Sequence, residues 1–374
     1  MIIGVPKELK NHEYRVGLTP ASAKELIAHG HQVMIETNAG FGIGISDSDY
    51  IAAGASILPT ATEVFSQADM IIKVKEPLDN ELIMLRKGQI LFTYLHLAPD
   101  FPQTEALIKS KAICIAYETV TDYMGRLPLL APMSEVAGRM SVQAGANILE
   151  KSKGGQGILL GGVPGVAPAN VLILGAGVVG SSAARIALGM RVNVTLIDRN
   201  IEVLRGLDRE FQGKATLLFA TQDAIETQLK RADLVIGAVL IPGAQAPKLV
   251  SKQQLALMKP RAVLVDVAID QGGCFATSRP TTHDEPTFIE QNIIHYCVAN
   301  MPGAIARTAT LALNNATLPY IINIANLGYQ QAMRDDPGLK QGLNICQGHI
   351  TCQHVAEGFG LPYVPADELI NSDS

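Results

Sequence analysis

The sequence predicts an α/β protein of two doubly wound parallel-sheet domains, and three observations carry the prediction. Short runs rich in Val, Ile and Leu alternate with helical segments over roughly the first 120 residues, the pattern of a parallel sheet covered on both faces. A second alternating series runs from Val171 to Val298. Between its first two apolar runs lies a glycine-rich turn, Gly175-Ala176-Gly177-Val178-Val179-Gly180, of the kind that carries a strand into a helix.

The first series opens with Met1 to Val5 as a strand. After a polar loop, Thr19-Pro20 supplies a cap and a first-turn proline for a helix running to about His29. Threonine caps through its side-chain oxygen, and proline loses nothing where no N–H is needed. Gln32 to Glu36 is the next strand. Gly-rich turns and a helix from about Asp47 lead to Ala68, around a short apolar stretch at Ala55 to Leu58. Met70 to Val74, Gln89 to Leu95 and Ala112 to Tyr117 are further strands separated by helical segments. Ser134 to Lys151 reads as helix, and the Gly/Pro-rich run from Gly154 through Pro168 as a connector or surface loop.

Val171 to Leu174 is an uninterrupted apolar run, expected of a strand buried on both faces. The G-x-G-x-x-G turn follows at once. Ser181 to Leu188 then supplies small and apolar residues for a helix, and a second strand, Val192 to Ile197, ends in Asp198. Strand, turn, helix, strand and acid in this order are the context that a dinucleotide-binding fingerprint requires. Gly175 permits the tight turn, Gly177 lets the backbone approach a pyrophosphate, and Gly180 lets the helix pack close to the strand. The helix N-terminus offers its unpaired N–H groups to the phosphates. Asp198 is placed to accept hydrogen bonds from the ribose hydroxyls and to repel a 2′-phosphate, so the expected cofactor is NAD. Strands at Ala215 to Phe219, Leu234 to Ala238, Ala262 to Val267 and Ile293 to Val298 complete a six-stranded Rossmann domain.

From Ala304 to about Met333 the chain reads as helical, with Pro319 expected to kink or break it. The remaining tail is too short for a third domain and is expected to pack back on the first. The predicted organisation is a discontinuous substrate domain, residues 1–128 and 306–374, with a Rossmann NAD-binding domain, 129–305, inserted in it.

Composition narrows the function classes. At 374 residues, 48% hydrophobic and 17% charged, the chain has the make-up of a globular protein and not of a disordered one. A formal net charge of −5 gives no electrostatic reason to expect nucleic acid or an anionic membrane as partner. Cys114, Cys274, Cys297, Cys346 and Cys352 are odd in number and lack metal-ligand spacing. Inert thiols in a reducing compartment, and no metal site, are therefore expected. No apolar run is long enough to span a membrane, and Lys7, Glu8 and Lys10 interrupt the apolar start before it can form a signal peptide. The expectation is a cytoplasmic enzyme acting on a small molecule.

Ligands of open parallel sheets collect beyond the carboxyl ends of the strands. The polar residues there are Arg15, Lys75, His96 and Glu118 in the first domain, and Asp270 and Asn300 in the second. If both carboxyl edges face one cleft, Arg15, Lys75, His96 and Asp270 supply two cations, an imidazole and a carboxylate beside a nicotinamide. Each has a plainer alternative. Arg15 on position alone is equally well a solvated loop residue. Lys73 projects to the same face as Lys75 but sits further from the strand end. His96, between Leu95 and Leu97, fits a hydrogen-bonded structural histidine as well as a catalytic one. Asp270 fits a cap on the Gln271-Gly272-Gly273 turn. Asp266, inside an apolar strand, fits a holder of backbone groups better than a catalyst.

Longer ordered segments add to these residues. They are Gly4-Val5-Pro6-Lys7-Glu8, Arg15-Val16 with Thr19-Pro20, Lys73-Val74-Lys75-Glu76-Pro77, Tyr94-Leu95-His96-Leu97-Ala98 and Met133-Ser134-Glu135-Val136-Ala137-Gly138. Beyond the Gly175 to Gly180 turn come Gly237-Ala238-Val239-Leu240-Ile241-Pro242-Gly243, Val265 through Gly273, and Val298-Ala299-Asn300-Met301-Pro302-Gly303. In these segments, over almost its whole length, the chain resembles the alanine dehydrogenase family. The resemblance implies NAD-linked oxidative deamination of L-alanine to pyruvate and ammonia, and the reverse amination. It implies that Arg15 and Lys75 hold the substrate carboxylate and reacting centre, and that His96 and Asp270 transfer protons. It also implies a cofactor lining of Ser134, Gly175, Gly177, Val178, Gly180, Asp198, Val239, Leu240, Val267, Ala268, Ile269, Asp270, Arg279, Val298, Ala299, Asn300 and Met301. A homohexamer is implied in the same way. Val203 stands where the family often has a basic residue near the adenosine ribose, and Ala220 where serine is common; both bear on the strength of NAD binding.

Other readings share the two-domain plan. One is the NAD-binding component of a proton-translocating transhydrogenase; another is a lysine-pathway NAD dehydrogenase acting on a larger amino-acid adduct. A third, from a different class, is a non-catalytic NAD-binding protein, which NADH binding without turnover of alanine would mark.

Overall fold

Successive side chains of a strand point to opposite faces, so an unbroken apolar run suits a strand with a core on each side. Residues 171–174 behave in this way: Val171 and Ile173 enter one core, and Leu172 and Leu174 enter another. The computed structural model describes residues 1–239 and 246–371. They fall into two compact units, Met1–Met133 with the chain from Ile305 onward, and Ser134–Ala304.

The first unit begins with strands β1 (Ile2–Val5), β2 (Gln32–Glu36), β3 (Ser56–Leu58), β4 (Met70–Ile72), β5 (Ile90–Thr93) and β6 (Ile113–Ala116). The second holds β7 (Asn170–Leu174), β8 (Asn193–Asp198), β9 (Ala215–Phe219), β10 (Leu234–Gly237), β11 (Val263–Asp266), β12 (Thr287–Glu290) and β13 (Ile293–Tyr296). The tail returns two strands, β14 (Leu343–Cys346) and β15 (His349–Ile350), to the first unit. The eight-stranded sheet is ordered β15-β14-β6-β5-β4-β1-β2-β3 and the seven-stranded sheet β12-β13-β11-β10-β7-β8-β9. The parallel part of each therefore follows the 3-2-1-4-5-6 order of a doubly wound fold. Each sheet has its switch point beside its first strand, between β1 and β4 and between β7 and β10.

Both sheets depart from the all-parallel expectation at an edge. β12 runs antiparallel to β13, and β14 runs antiparallel to both β6 and β15. The two hairpins are closed by two-residue turns, Gln291-Asn292 with φ 51° and 63°, and Gln347-Gly348 with φ 51° and 94°. Positive φ at both central residues matches the twist of the flanking strands. Neither dipeptide is a strong turn signal, and the strands are short, so the sequence did not betray them. The apolar stretch at Ala55 to Leu58 likewise proves to hold a strand, β3.

Helix starts follow their caps. Thr19 accepts the N–H of Ser22 and Pro20 opens the helix Pro20–Ala28. A larger difference concerns Pro319. The helix Ala306–Leu327 runs through it and ends at Gly328, where φ is 77°; Tyr329–Asp335 is a separate helix. Tertiary contacts on both sides of the proline explain the continuity. Buried Asn314 accepts the N–H of Thr19 at 2.7 Å and donates to the Gly17 carbonyl at 3.1 Å. Beyond the proline, Ile321 and Ile324 are fully buried. Among the described residues no helix is long and apolar enough to cross a membrane.

Under the C-terminal end of β4 lies a buried charge cluster. Lys73 is 1% exposed, with Nζ 2.8 Å from a Glu81 carboxylate oxygen and 3.2 Å from one of Glu8. Burial pushes the Glu8 carboxyl up, whereas the two carboxylates keep Lys73 charged against its own burial. Breaking such a cluster leaves charge uncompensated in the interior. Lys73→Met is therefore expected to cost about 3–5 kcal/mol, read as a fall in the urea midpoint. A midpoint unchanged from wild type would show that the cluster carries no net stabilisation.

Candidate active site

Because β1, β4, β5 and β6 are parallel neighbours, the loops that follow them emerge at one edge of the first sheet. They deliver Arg15 after β1, Lys75 after β4, His96 after β5 and Glu118 after β6. Arg15 is not a solvated loop residue: it is 2% exposed. Its Nε and Nη2 donate to the two carboxylate oxygens of buried Glu13 at 2.6 and 2.5 Å, and Nη1 lies 3.2 Å from Met133 Sδ. Burial works against the guanidinium charge, and the Glu13 bonds outweigh it. The side fork of Arg15 is thus taken up by Glu13. The two lysines differ in burial: Lys73 belongs to the buried charge cluster, whereas Lys75 is half-buried. Glu8 accepts the backbone N–H groups of Val74 at 2.7 Å and Lys75 at 3.4 Å, so the cluster also fixes the chain at Lys75.

His96 has a left-handed backbone, φ 48°, uncommon outside glycine and frequent at functional positions. Glu118 holds it there by accepting the His96 N–H at 2.7 Å and the Leu95 N–H at 3.1 Å. The imidazole is 44% exposed, with Nδ1 3.3 Å from Glu76 Oε2. It stacks on the Tyr94 ring at 5.8 Å between centroids, and the Tyr94 hydroxyl donates to the Leu129 carbonyl at 2.6 Å. Glu76 is also paired with Lys10. Burial pushes the Glu76 carboxyl up, but the hydrogen bonds and charges of His96 and Lys10 hold it well below the usual range.

In the second unit the fingerprint glycines have separable roles. Gly175 has φ 101°, and a Cβ there would lie 2.7 Å from the Ala238 carbonyl oxygen. A Cβ on Gly180 would lie 1.8 Å from the Gly175 carbonyl oxygen, so close helix–strand packing forbids one. A Cβ on Gly177 would meet nothing within 4 Å, although this residue caps the helix Val178–Gly189. That open backbone at a helix N-terminus is a cradle which fits a phosphate group. Asp198, half-buried at the end of β8, accepts the Ala176 N–H at 2.6 Å and the Asn200 N–H at 2.7 Å. It thereby ties the fingerprint turn to the second strand.

Val239 follows β10, Val267 to Asp270 follow β11, and Val298 to Met301 follow β13, all at carboxyl ends of parallel strands. Asn300 is left-handed, with φ 58°. Leu240 lies outside the described residues. Asp270 is exposed on the short helical turn Ile269–Gln271, and among the described residues its carboxylate accepts no hydrogen bond from the N–H groups of the following glycines. That loop is held from beneath: buried Asp266 accepts from the Ala268 N–H at 3.1 Å, the Cys274 N–H at 2.9 Å and Ser278 Oγ at 2.5 Å. Lys248 adds bonds to the Gly272 and Gly273 carbonyls at 2.5 and 2.8 Å. Two expected lining residues lie neither at a strand end nor in the fingerprint turn and its helix. Ser134 lies on the helix Ala131–Ile148, and exposed Arg279 has its guanidinium 4.4 Å from the centre of the Phe288 ring.

Sequence reasoning missed Glu13 and Glu76 and assigned Glu118 no task. Their signal is adjacency: Glu13 stands two residues from Arg15, and Glu76 next to Lys75.

The two models of the family described as alanine dehydrogenase/PNT match nearly the whole chain, the N-terminal one residues 4–137 and the C-terminal one residues 141–353. The chain belongs to the alanine dehydrogenase/PNT family. The family's alanine dehydrogenase from Halomonas elongata is 56% identical over 370 residues, 99% of this chain and 100% of the relative. That from Mycobacterium tuberculosis is 52% identical over the same shares. A solved L-alanine dehydrogenase superposes with a TM-score of 0.94 at 49% identity, covering 96% of this chain and 99% of that one. A transhydrogenase from Sinorhizobium meliloti, with a TM-score of 0.81 at 23% identity over 94% of this chain and 99% of that one, shares the fold.

The glycine geometry predicts opposite outcomes for two small substitutions in this alanine dehydrogenase/PNT family member. Gly180→Ala should lower stability by about 2 kcal/mol or more, because the helix must move off the strand. Gly177→Ala should stay within about 1 kcal/mol of wild type, the cost of alanine at a cap. Thermal unfolding of the two side by side checks this, and equal stabilities would contradict it.

Proposed function

We propose that the chain is an NAD-dependent L-alanine dehydrogenase, catalysing oxidative deamination of L-alanine to pyruvate and ammonia and the reverse amination. The observation that carries this reading is identity of 52–56% to alanine dehydrogenases over 99% of the chain. Identity of 23% to a transhydrogenase favours it over the shared-fold alternative.

Arg15 and Lys75 take the substrate carboxylate. Arg15, its guanidinium oriented by Glu13, brings the planar cation that suits a carboxylate. Lys75 adds a point charge where negative charge develops on oxygen. His96 is the general acid and base: it takes a proton from the water that adds to the imine carbon and returns one to the departing amine. Histidine suits both directions because imidazole changes charge in the neutral range. Asp270 is the second proton-transfer group, with its exposed carboxylate on a loop anchored by Asp266.

NAD is the cofactor that the second unit's residues fit, and when bound it would supply the hydride acceptor for deamination and the donor for amination. The open backbone at Gly177 and the helix N-terminus support a pyrophosphate there, and the Asp198 carboxylate favours ribose hydroxyls over a 2′-phosphate. Val239, Leu240, Val267 to Asp270 and Val298 to Met301 would line it, with Ser134 and Arg279. Assembly as a homo-oligomer, a hexamer by family resemblance, belongs to the same proposal. So does a cytoplasmic setting, supported by five unpaired cysteines of which four are buried.

An absorbance assay for NADH consumption with pyruvate plus ammonium, omitting each in turn, tests the reaction. Loss of signal on either omission is expected, and NADH binding without turnover would mark a non-catalytic protein. His96→Asn, which keeps a residue type tolerant of the left-handed backbone, should lower turnover about 100-fold or more while NADH still binds. NADPH should be a poor substitute, and comparable kcat/KM for the two cofactors would refute the role of Asp198. Folded Gly177→Ala should bind NADH at least about tenfold more weakly, since its methyl group enters the phosphate cradle.

A further inference from the structure

Three loops are linked through Glu76. Lys10, from the loop after β1, is paired with Glu76, from the loop after β4; Glu76 in turn reaches the Nδ1 of His96, after β5. The three side chains are 33%, 17% and 44% exposed, so the chain of contacts runs from a half-buried ammonium, through a mostly buried carboxylate, to an accessible imidazole. Glu118 accepts hydrogen bonds from the backbone of this segment, through the Leu95 and His96 N–H groups. The backbone and the ring are thus fixed by different carboxylates.

We propose that Glu76, anchored by Lys10, is a positioning residue that keeps the Nδ1 hydrogen on His96 and so makes Nε2 the nitrogen that exchanges protons with substrate. The inference rests on the assignment of His96 as acid and base, and deepens it to a single atom. An ionised carboxylate has acceptors and no donor, and Glu76 is held ionised by its two partners. A hydrogen bond between Glu76 and Nδ1 therefore requires the hydrogen on Nδ1. In the neutral ring the lone pair is then on Nε2, the atom on the far side of the ring from Glu76. Without Glu76 the ring is free to turn over and to place its hydrogen on either nitrogen, and only part of the population is competent. Tyr94, stacked on one face, restricts tilt, and its hydroxyl donates to the Leu129 carbonyl.

The test measures kcat and pyruvate KM in reductive amination, with NADH affinity and melting temperature on the same preparations. The variants are Glu76→Gln, Lys10→Met, the two combined, and His96→Asn. Glu76→Gln is expected to lower kcat about 10- to 100-fold, with pyruvate KM within about threefold of wild type, the signature of a loss felt in the transition state. Lys10→Met should lower kcat less. The combined variant should be no slower than Glu76→Gln alone, because both changes act through one imidazole.

Wild-type kcat in Glu76→Gln beside an inactive His96→Asn overturns the inference and leaves the proposed reaction standing. Wild-type kcat in His96→Asn overturns the assignment of His96 itself. Losses that multiply in the combined variant, or a Glu76→Gln effect carried by KM and melting temperature alone, also overturn the inference. Should Glu76→Gln fail to fold, Lys10→Met carries the test through the same kcat and KM split.

Discussion

Hydrogen-bonded in parallel, β1, β4, β5 and β6 release their chains at the same edge of the first sheet, and the candidate site depends on that shared direction. An antiparallel arrangement would send alternate loops to the opposite edge and scatter Arg15, Lys75, His96 and Glu118. The switch point sharpens the effect. Between β1 and β4 the order reverses, and the loops carrying Arg15 and Lys75 begin at this switch point, where ligands of doubly wound sheets collect. The second sheet repeats the order around β7 and β10, and its fingerprint turn lies at the corresponding place.

Direction alone brings loops to an edge; carboxylates then hold the groups there. In the first unit Glu13 grips the Arg15 guanidinium, Glu8 the backbone at Lys75 and Glu118 the backbone at His96; within the second unit, taken by itself, Asp266 grips the loop that carries Asp270. Each accepts more than one hydrogen bond, so each offsets part of its own burial. The cations and donors of the site are accordingly not loose side chains on loops. They are fixed by acids drawn from elsewhere in the chain or from a few residues away, which limits the orientations that each loop can take.

The sequence made the parallel cores legible because periodicity records burial. Val171 to Leu174 and Met70 to Ile72 are apolar throughout, and both form strands with buried faces on each side. The fingerprint was legible because glycine is required where a Cβ would strike a carbonyl. What stayed hidden was decided by contacts distant in sequence. The antiparallel strands β12, β14 and β15 are short, and their pairing depends on a neighbour already in place. The helix through Pro319 is held by Asn314 and its bonds to the Thr19 region. In the site, Arg15 and His96 were visible as residue types at strand ends. Their acidic partners were not, because a glutamate beside a lysine or two residues from an arginine is an ordinary surface pattern until the fold buries it.

The return of the tail to β6 also has a consequence for the order in which the protein can be built. Residues of β6, Ile113–Ala116, are buried, and the edge turned away from β5 is paired by β14, Leu343–Cys346. A ribosome must translate residues 117–342 before that cover emerges. Throughout that interval the nascent chain carries an apolar strand with an open edge, the template that strand-to-strand aggregation uses. The second unit, all of whose strands lie between 170 and 296, faces no such delay and can close its sheet while the first is still waiting for its last partner. Capping β6 with a late antiparallel strand thus makes the earliest part of the chain the last to become safe from its neighbours.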